Sequence, residues 1–250
     1  MATSGTFLWS PELADMVDEA FERARVDPAT LSFRHIQSAR RSINYMLADW
    51  ATRDLQEWKI SRVDLQTLAS LGTPITQGTA TYTLSAEYLD VMNVFLRRNG
   101  IDTPIEFMSR QEWADIPDKD VQGRPDRIFI DKQRDAITVS FWTTPENSTD
   151  EIYFDIVSRF EDHDSAADNP DVPYYAREAF VADLAARLAE KFSEVVIEDR
   201  LRVKAYGSPM NPTDNGAVGR AIAATRERGD VRIVPGSNWA RRRGTSRSYR

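Results

Sequence analysis

The hydrophobic pattern of this chain changes period twice, and the change limits the folds that it can adopt. Near both ends, apolar residues recur every three or four positions, as on the buried face of an α-helix. In the middle, from about residue 55 to 171, apolar and polar residues alternate, as in half-buried β-strands. The helices at the two ends each carry an apolar stripe, so we expect them to pack against each other.

Four main helices are predicted, two on each side of the central region. The dipeptide Ser10-Pro11 is typical of a helix start, and Asp27-Pro28 breaks the periodic pattern that follows it. An alanine-rich apolar face follows Pro173 and favours close approach of neighbouring helices. The predicted helical ranges are 10–25, 32–53, 173–206 and 214–228, with a break at 207–212.

The central region is predicted to be antiparallel β structure with one short helix. The turn Asn99-Gly100 predicts a hairpin between strands over 88–97 and 105–108, and residues 132–135 separate the strands of a second hairpin. The segment from Ser109 to Glu112 resembles a capping box and predicts a short helix that ends at Pro117. The remaining predicted strands cover 57–65, 79–85, 127–131, 136–143 and 151–160.

We therefore predict an α+β fold, in which both chain ends form an antiparallel helical bundle. An antiparallel β lobe is inserted into this bundle, and an extended arm follows it. The predicted boundaries are 1–54 and 172–228 for the bundle, 55–171 for the lobe and 229–250 for the basic C-terminal arm.

Charge is distributed unevenly along the chain. The formal net charge is −7, but residues 220–250 contain nine arginines and two acids, a local +7, so residues 1–219 carry −14. The acidic part argues against a compact, uniformly basic nucleic-acid binder. The arginine-rich end could contact nucleic-acid phosphates, dock on an acidic protein surface, or act as a solubilising tail.

The sequence predicts no catalytic, cofactor-binding or metal-binding residues, and therefore no enzyme. It has no cysteine and two histidines, His35 and His163, which excludes thiol nucleophiles and nearly excludes a multi-histidine metal site. His35 is interpreted as a surface or helix-packing residue, and His163 as part of a solvated acidic loop. The loop's Asp162, Asp164 and Asp168 lack the spacing of a calcium loop. No nucleotide-binding glycine pattern is present.

Paired carboxylates and two tryptophans are further candidates for functional residues. The pairs Asp49/Asp54 and Glu194/Glu198 are interpreted as ordinary helix charges rather than an acid and base. Trp50 extends an apolar helical stripe and is expected in the core. Trp239 stands alone in the polar tail, and it is interpreted either as an anchor in a partner's pocket or as an exposed ring without a partner.

The sequence predicts no membrane span and no secretory signal. No apolar run reaches the roughly 18 residues of a membrane span, and residues 1–10 do not resemble a secretory signal. A soluble protein made in the cytoplasm is expected.

Eight short segments, in order along nearly the whole chain, resemble one known family. Residues 39–51 are similar to the family's helix pattern A-R-R-S-L-N-x-x-L-x-x-W-A, and residues 78–84 match its strand pattern G-T-A-x-Y-x-L. Residues 109–119 resemble its pattern S-R-x-E-Y-x-x-I-P-N-K. The other segments are 5–7, 55–58, 123–125, 170–173 and 184–191. The family is that of the head-to-tail adaptor (connector or head-completion) proteins of tailed bacteriophages, especially short-tailed ones.

The resemblance implies a virion structural protein in the neck between capsid and tail, assembled in the host cytoplasm. Such proteins form a homo-oligomeric ring, usually of twelve copies, under the portal protein. The ring extends the DNA channel, helps to retain packaged DNA until ejection, and carries the tail nozzle or tail tube protein. The break at 207–212 and the arginine-rich end depart from the family pattern.

The C-terminal arm is the predicted portal-docking element. Its short apolar segment could add a strand or fill a groove, and its arginines could pair with acidic residues. The predicted partner-binding residues are Val231, Arg232, Ile233, Val234, Trp239, Arg241, Arg242, Arg243 and Arg247. The alternative is a nucleic-acid-binding protein that uses the same arginine-rich tail, with salt-sensitive DNA binding as its signature.

Overall fold

Helices occupy both ends of the described chain, and strands occupy its middle. A computed structural model describes residues 11–53, 55–163, 170–193, 195–211 and 214–225. The α-helices are α1 (Leu13–Arg23), α2 (Phe33–Ala51), α3 (Leu65–Leu68), α4 (Arg110–Asp115), α5 (Arg177–Phe192), α6 (Val195–Tyr206) and α7 (Gly216–Thr225). The strands are β1 (Ile60–Asp64), β2 (Thr81–Leu84), β3 (Tyr88–Arg98), β4 (Ile101–Pro104), β5 (Glu106–Met108), β6 (Gln122–Gly123), β7 (Arg127–Lys132), β8 (Ile137–Trp142), β9 (Thr144–Pro145) and β10 (Glu151–Ser158). The mixed α and β composition is as predicted.

Capping boxes position the starts of two helices, and the sequence predicted the one at Ser109. Ser32 and His35 form a capping box at the start of α2, and Ser109 and Glu112 form one at the start of α4. In the second box, the backbone N–H of Ser109 donates to Glu112 at 2.7 Å. At α1 the boundary differs, because Glu12 is the N-cap and its capping box is completed by Asp15. The helix therefore begins at Leu13 rather than at Pro11, and Ser10 lies outside the described residues.

One hydrophobic core joins helices from both ends of the chain. Helix α5 lies at its centre, and its small residues Ala179, Ala182 and Ala185 are almost fully buried. Helices α1, α2, α6 and α7 all contribute buried side chains to the same core, among them Phe21 and Trp50. Short alanine side chains leave room for the neighbouring helices of this core to pack against α5.

The helix predicted over 173–206 is interrupted, which the sequence did not indicate. Helix α5 ends at Phe192, Ser193 has an extended backbone, and α6 begins at Val195. The hydroxyl of Ser193 donates to the backbone carbonyl of Ala24, which follows α1. This contact links the interruption to a residue distant in sequence, so local helix propensity carried no signal for it.

The strands form two four-stranded sheets and one two-stranded pair. The first sheet has the order β1-β10-β3-β4 and is antiparallel throughout. The second has the order β2-β8-β7-β5. Side chains from both sheets fill a second core, in which Phe141 and Phe154 meet across the sheets at 6.4 Å between ring centroids.

Two parts of the predicted antiparallel lobe were wrong. Strand β3 pairs through the Asn99-Gly100 turn with β4, not with residues 105–108. Those residues instead bring β5 into the second sheet, parallel to β7, and β6 pairs parallel to β9. The change of sheet occurs at Ile105, which is only 4% exposed, so burial between the sheets favours the crossover. The second predicted hairpin, β7 with β8, is confirmed.

Trp58 lies beside the point where the β region joins the helices. Its indole N–H donates to the backbone carbonyl of Asp171 at 3.2 Å, and its ring contacts Phe160 and Tyr175. Residues from the start and the end of the β region therefore meet next to the helical core. Among the residues that the structure describes, no helix is long and apolar enough to cross a membrane.

Candidate interaction surfaces

A buried carboxylate ties three helices together inside the helical core. Asp183 of α5 is fully buried and accepts three hydrogen bonds. The donors are the indole of Trp50 at 2.9 Å, the phenol of Tyr206 at 2.6 Å and the guanidinium of Arg187 at 2.9 Å. Arg187 also donates to Asp49 of α2 at 2.9 Å. We call these five residues the Asp183 cluster.

The Asp183 cluster is saturated, which favours a structural role. Burial and the charge of Asp183 raise the pKa of Tyr206 to about 12, so its hydroxyl remains a donor at neutral pH. Burial alone would lower the pKa of Arg187, but the charge of Asp183 outweighs it and the pKa is raised. A buried carboxylate with its hydrogen bonds satisfied in this way holds helices in register rather than reacting with a substrate.

A basic surface lies on the outer side of α2. Arg34, Arg41 and Tyr45 are spaced by seven and four residues and so share one face of the helix, pointing away from its buried stripe. Tyr45 is 72% exposed. Lys191 of α5 lies beside them and donates to Ser42 at 2.6 Å and Ser38 at 3.3 Å. We call Arg34, Arg41, Tyr45 and Lys191 the basic ridge.

The charges of the basic ridge reinforce one another. The pKa of Lys191 is lowered, first by burial and then by the neighbouring positive charge of Arg41. Lys191 is bonded to two serine hydroxyls and forms no salt bridge within the described residues, although the charge of Glu190 partly opposes the lowering of its pKa. The ridge therefore presents arginine side chains and an exposed tyrosine, which are residue types enriched at protein interfaces.

An acidic surface lies on the outer side of α1. Glu12, Asp15, Glu19 and Glu22 follow spacings of three and four residues, so they occupy one exposed face, which we call the acidic stripe. Within α1 the acids Asp15, Asp18, Glu19 and Glu22 outnumber the single basic residue, Arg23. The stripe thus carries net negative charge on the solvent side of the helical core.

Arg23 compensates only one edge of the acidic stripe. It bonds to Glu19 at 2.7 Å and forms a bidentate contact with Glu178 of α5, at 2.9 and 3.0 Å. Partial burial alone would raise the pKa of Glu178, but the hydrogen bonds and charge of Arg23 outweigh it and lower the pKa. This arginine joins α1 to α5 and leaves most of the stripe uncompensated.

A third surface lies on the solvent face of the first sheet. The rings of Phe95 and Tyr153 stack at 5.6 Å, with Arg62 over the first ring and Arg97 over the second. Arg62 is held by Asp155, whose pKa it lowers through their hydrogen bond, and Arg97 by Asp102. These charges are paired within the sheet, so the face is close to neutral. This surface was not predicted from the sequence, although the alternation in β3 and β10 places Phe95, Arg97 and Tyr153 on one face.

The predicted partner-binding residues of the arm, from Val231 to Arg247, lie outside the described residues. Also outside the described residues are Gly5-Thr6-Phe7 of the family resemblance and the candidate carboxylates Asp54, Asp164, Asp168 and Glu194. Their predicted roles therefore stay predictions.

The candidate residues Trp50, His35 and His163 lie within the described chain and have mostly structural roles. Trp50 is fully buried, as predicted, and His35 accepts the Ser32 backbone N–H at 3.0 Å and packs against Phe192. His163 was expected in a solvated loop, but it is only 4% exposed, and its backbone N–H donates to Asn44 of α2 at 3.2 Å. The described start of the loop therefore contacts this helix.

The candidate carboxylates Asp49 and Glu198 form ion pairs on helices. Asp49 bonds to Arg53 at 3.1 Å and joins the Asp183 cluster, so it is more constrained than an ordinary surface charge. Glu198 lies 3.7 Å from Arg202, one turn along α6. Within the described ranges, no group of three or more metal-ligating side chains could hold a metal ion.

Comparison with known proteins agrees with the resemblance found in the sequence. A family model described as SU10 adaptor protein matches residues 12–233, which include both helical ends and the whole β region. No curated protein matches the chain. The family is one of structural bacteriophage adaptors, which supports a virion component at the head-to-tail junction that contacts portal and tail components. The chain therefore belongs to the SU10 adaptor protein family.

Proposed function

We propose that this chain is the head-to-tail adaptor of a short-tailed bacteriophage, acting as a ring of twelve copies beneath the portal. In this position it extends the DNA channel, helps to retain the packaged genome before ejection, and gives the tail nozzle or tail tube protein its platform. The match of the family model over residues 12–233 carries the proposal.

The charge of the chain supports a role beside moving DNA. Residues 1–219 carry a formal charge of −14. A channel wall with this charge repels phosphates, so DNA can slide through without binding tightly. The positive charge is concentrated instead in residues 220–250, which points to a separate task for that end.

We assign portal docking to the arm of residues 229–250. The segment from Val231 to Val234 offers backbone groups and apolar side chains for strand addition or groove filling. Trp239 supplies an anchor, and Arg241, Arg242, Arg243 and Arg247 supply charges for an acidic portal surface. An extended segment of this kind buries much surface for its length when it orders on a partner.

Truncation at Gly229 tests the assignment. The truncated chain should remain folded, because the described helices and both cores lie before it, but it should no longer join portal rings. Circular dichroism checks the fold, and co-sedimentation with assembled portal measures joining. A full-length variant with Arg134 changed to glutamate, an exposed site far from the arm in sequence, is the control. Undiminished joining by the truncated chain would exclude the arm as the docking element.

A nucleic-acid-binding role for the arginine-rich end makes a different prediction. The isolated chain would then bind DNA with an affinity that falls steeply as salt rises. In the adaptor proposal, portal binding depends on the arm, and the isolated chain binds duplex DNA weakly because its larger part is acidic. A filter-binding titration at two salt concentrations, with the full-length and truncated chains, separates the two.

A further inference from the structure

We propose that the acidic stripe of one copy binds the basic ridge of the next copy, and that this contact closes the ring. The inference rests on the proposed ring function and names the surfaces through which neighbouring copies contact each other. The acidic stripe comprises Glu12, Asp15, Glu19 and Glu22, and the basic ridge comprises Arg34, Arg41, Tyr45 and Lys191.

Charge complementarity is the first argument. The two surfaces carry opposite net charge, and each lies on the solvent side of a helix whose other side is packed in the helical core. Burial already lowers the pKa of Lys191, together with the positive charge of Arg41. An acidic surface placed against the ridge would relieve this repulsion, whereas a second basic surface would increase it.

The side chains at the two surfaces suit a protein partner. Tyr45 is 72% exposed between the arginines of the ridge, and Tyr174, beside the N-terminal end of α5, is 78% exposed. A groove of about 720 Å³ runs between α1 and this end of α5. The acids Asp15, Glu19 and Glu178 line it together with Tyr174, alongside the basic residues Arg23 and Arg177. A helix that presents arginine and tyrosine fits such a groove through charge pairing and aromatic contact.

The arrangement can repeat from copy to copy. The acidic stripe and the basic ridge are different surfaces, carried by α1 and by α2 with α5. When they pair, one copy keeps a free acidic stripe and the other keeps a free basic ridge. A contact of this head-to-tail kind continues until the chain of copies closes into a ring.

Charge exchange between two variants tests the contact. One variant carries Arg34→Glu and Arg41→Glu, and the other carries Glu19→Lys and Glu22→Lys. Each variant alone presents two surfaces of like charge, so its self-association at low salt should fall about tenfold below the wild type. The mixture restores opposite charges at every contact and should associate again. Sedimentation velocity of the full-length chains at high concentration measures both results.

The control variant is Arg134→Glu, on the exposed turn between β7 and β8, which should associate like the wild type. Circular dichroism verifies that each variant is folded. The inference is overturned if the single variants associate like the wild type, if the mixture gains nothing over its components, or if the wild type shows no association at low salt.

Cross-linking gives a second measurement, because the chain contains no cysteine. A mixture of Glu22→Cys and Arg41→Cys chains should form mixed cross-links with a short bismaleimide, in several-fold excess over cross-links within either variant alone. Equal yields in all three samples would contradict the assigned surfaces. Failure of the ring proposal would be distinguishable, because the mixed cross-links would still form but the associated chains would not close into a ring.

Discussion

At the scale of single residues, Asp183 does most to define the helical core. It is fully buried within α5, yet three side chains from three helices donate to it. An ionised group costs free energy in a core unless partners compensate it, so the three donors and Asp183 depend on one another. The sequence does show an acid amid apolar and alanine positions of a helix. It does not show which side chains reach that acid.

Changing Asp183→Asn should destabilise the fold by about 3 kcal/mol, because it leaves Arg187 half-buried without its main counter-charge. Urea unfolding followed by tryptophan fluorescence measures the change. The comparison variant is Trp50→Phe, which removes one neutral donor and should cost less, about 1–2 kcal/mol beyond the smaller ring. Equal stabilities for Asp183→Asn and the wild type would show that the cluster contributes nothing.

At the scale of elements, local capping signals determine where helices begin, and tertiary contacts determine where they are interrupted. The capping boxes at Ser32 and Ser109 need only residues within one turn. The sequence predicted the box at Ser109, and it predicted a helix start near Ser32 from apolar periodicity. The interruption at Ser193 involves Ala24, far away in the chain, and was missed. The pairing of β3 was half right for the same reason. Its turn is local, whereas the departure of residues 105–108 to the other sheet depends on burial between the two sheets.

The connection between α6 and α7 depends on Gly207. Its φ is +89°, and a Cβ at this position would lie 1.7 Å from the backbone carbonyl oxygen of Asp214. Both the backbone conformation and the space exclude a side chain. Gly207→Ala should therefore destabilise the chain by roughly 2–3 kcal/mol.

Thermal unfolding by circular dichroism measures the effect of Gly207→Ala. The matched control is Gly72→Ala, where no atom lies within 4 Å of the added Cβ, and its effect should stay under about 0.5 kcal/mol. If both variants melt alike, the close approach of α6 to the α7 entry does not constrain the fold.

At the scale of the whole molecule, the two ends of the chain complete each other. Helices α1 and α2 bury their stripes against α5, α6 and α7, which follow the β region. The bidentate contact of Arg23 with Glu178 adds a polar link between the two ends of the chain. The Asp183 cluster adds a second polar link between them. Helices α1 and α2 in particular lack the apolar partner that they need without α5.

A fragment of residues 11–53 should therefore show little helix on its own. Its stripe, including Phe21 and Trp50, would face water instead of α5. Circular dichroism should give less than about half of the helix content seen for this segment in the full chain, and Trp50 fluorescence should be typical of a solvated indole. Native-like helix content and a buried tryptophan in the isolated fragment would contradict this dependence.

The sequence by itself determined the α+β class, the order of the helical and β regions and the family resemblance, because periodicity, caps and short motifs involve residues close together in the chain. Only the tertiary structure decided which sheet receives β5, where α5 stops, what partners Asp183 has and which faces of α1 and α2 remain exposed. These features depend on the free energy of burial and hydrogen bonding between residues that are distant in sequence. The acidic stripe and the basic ridge could be recognised as opposite, uncovered surfaces only after the core had assigned the other side of each helix.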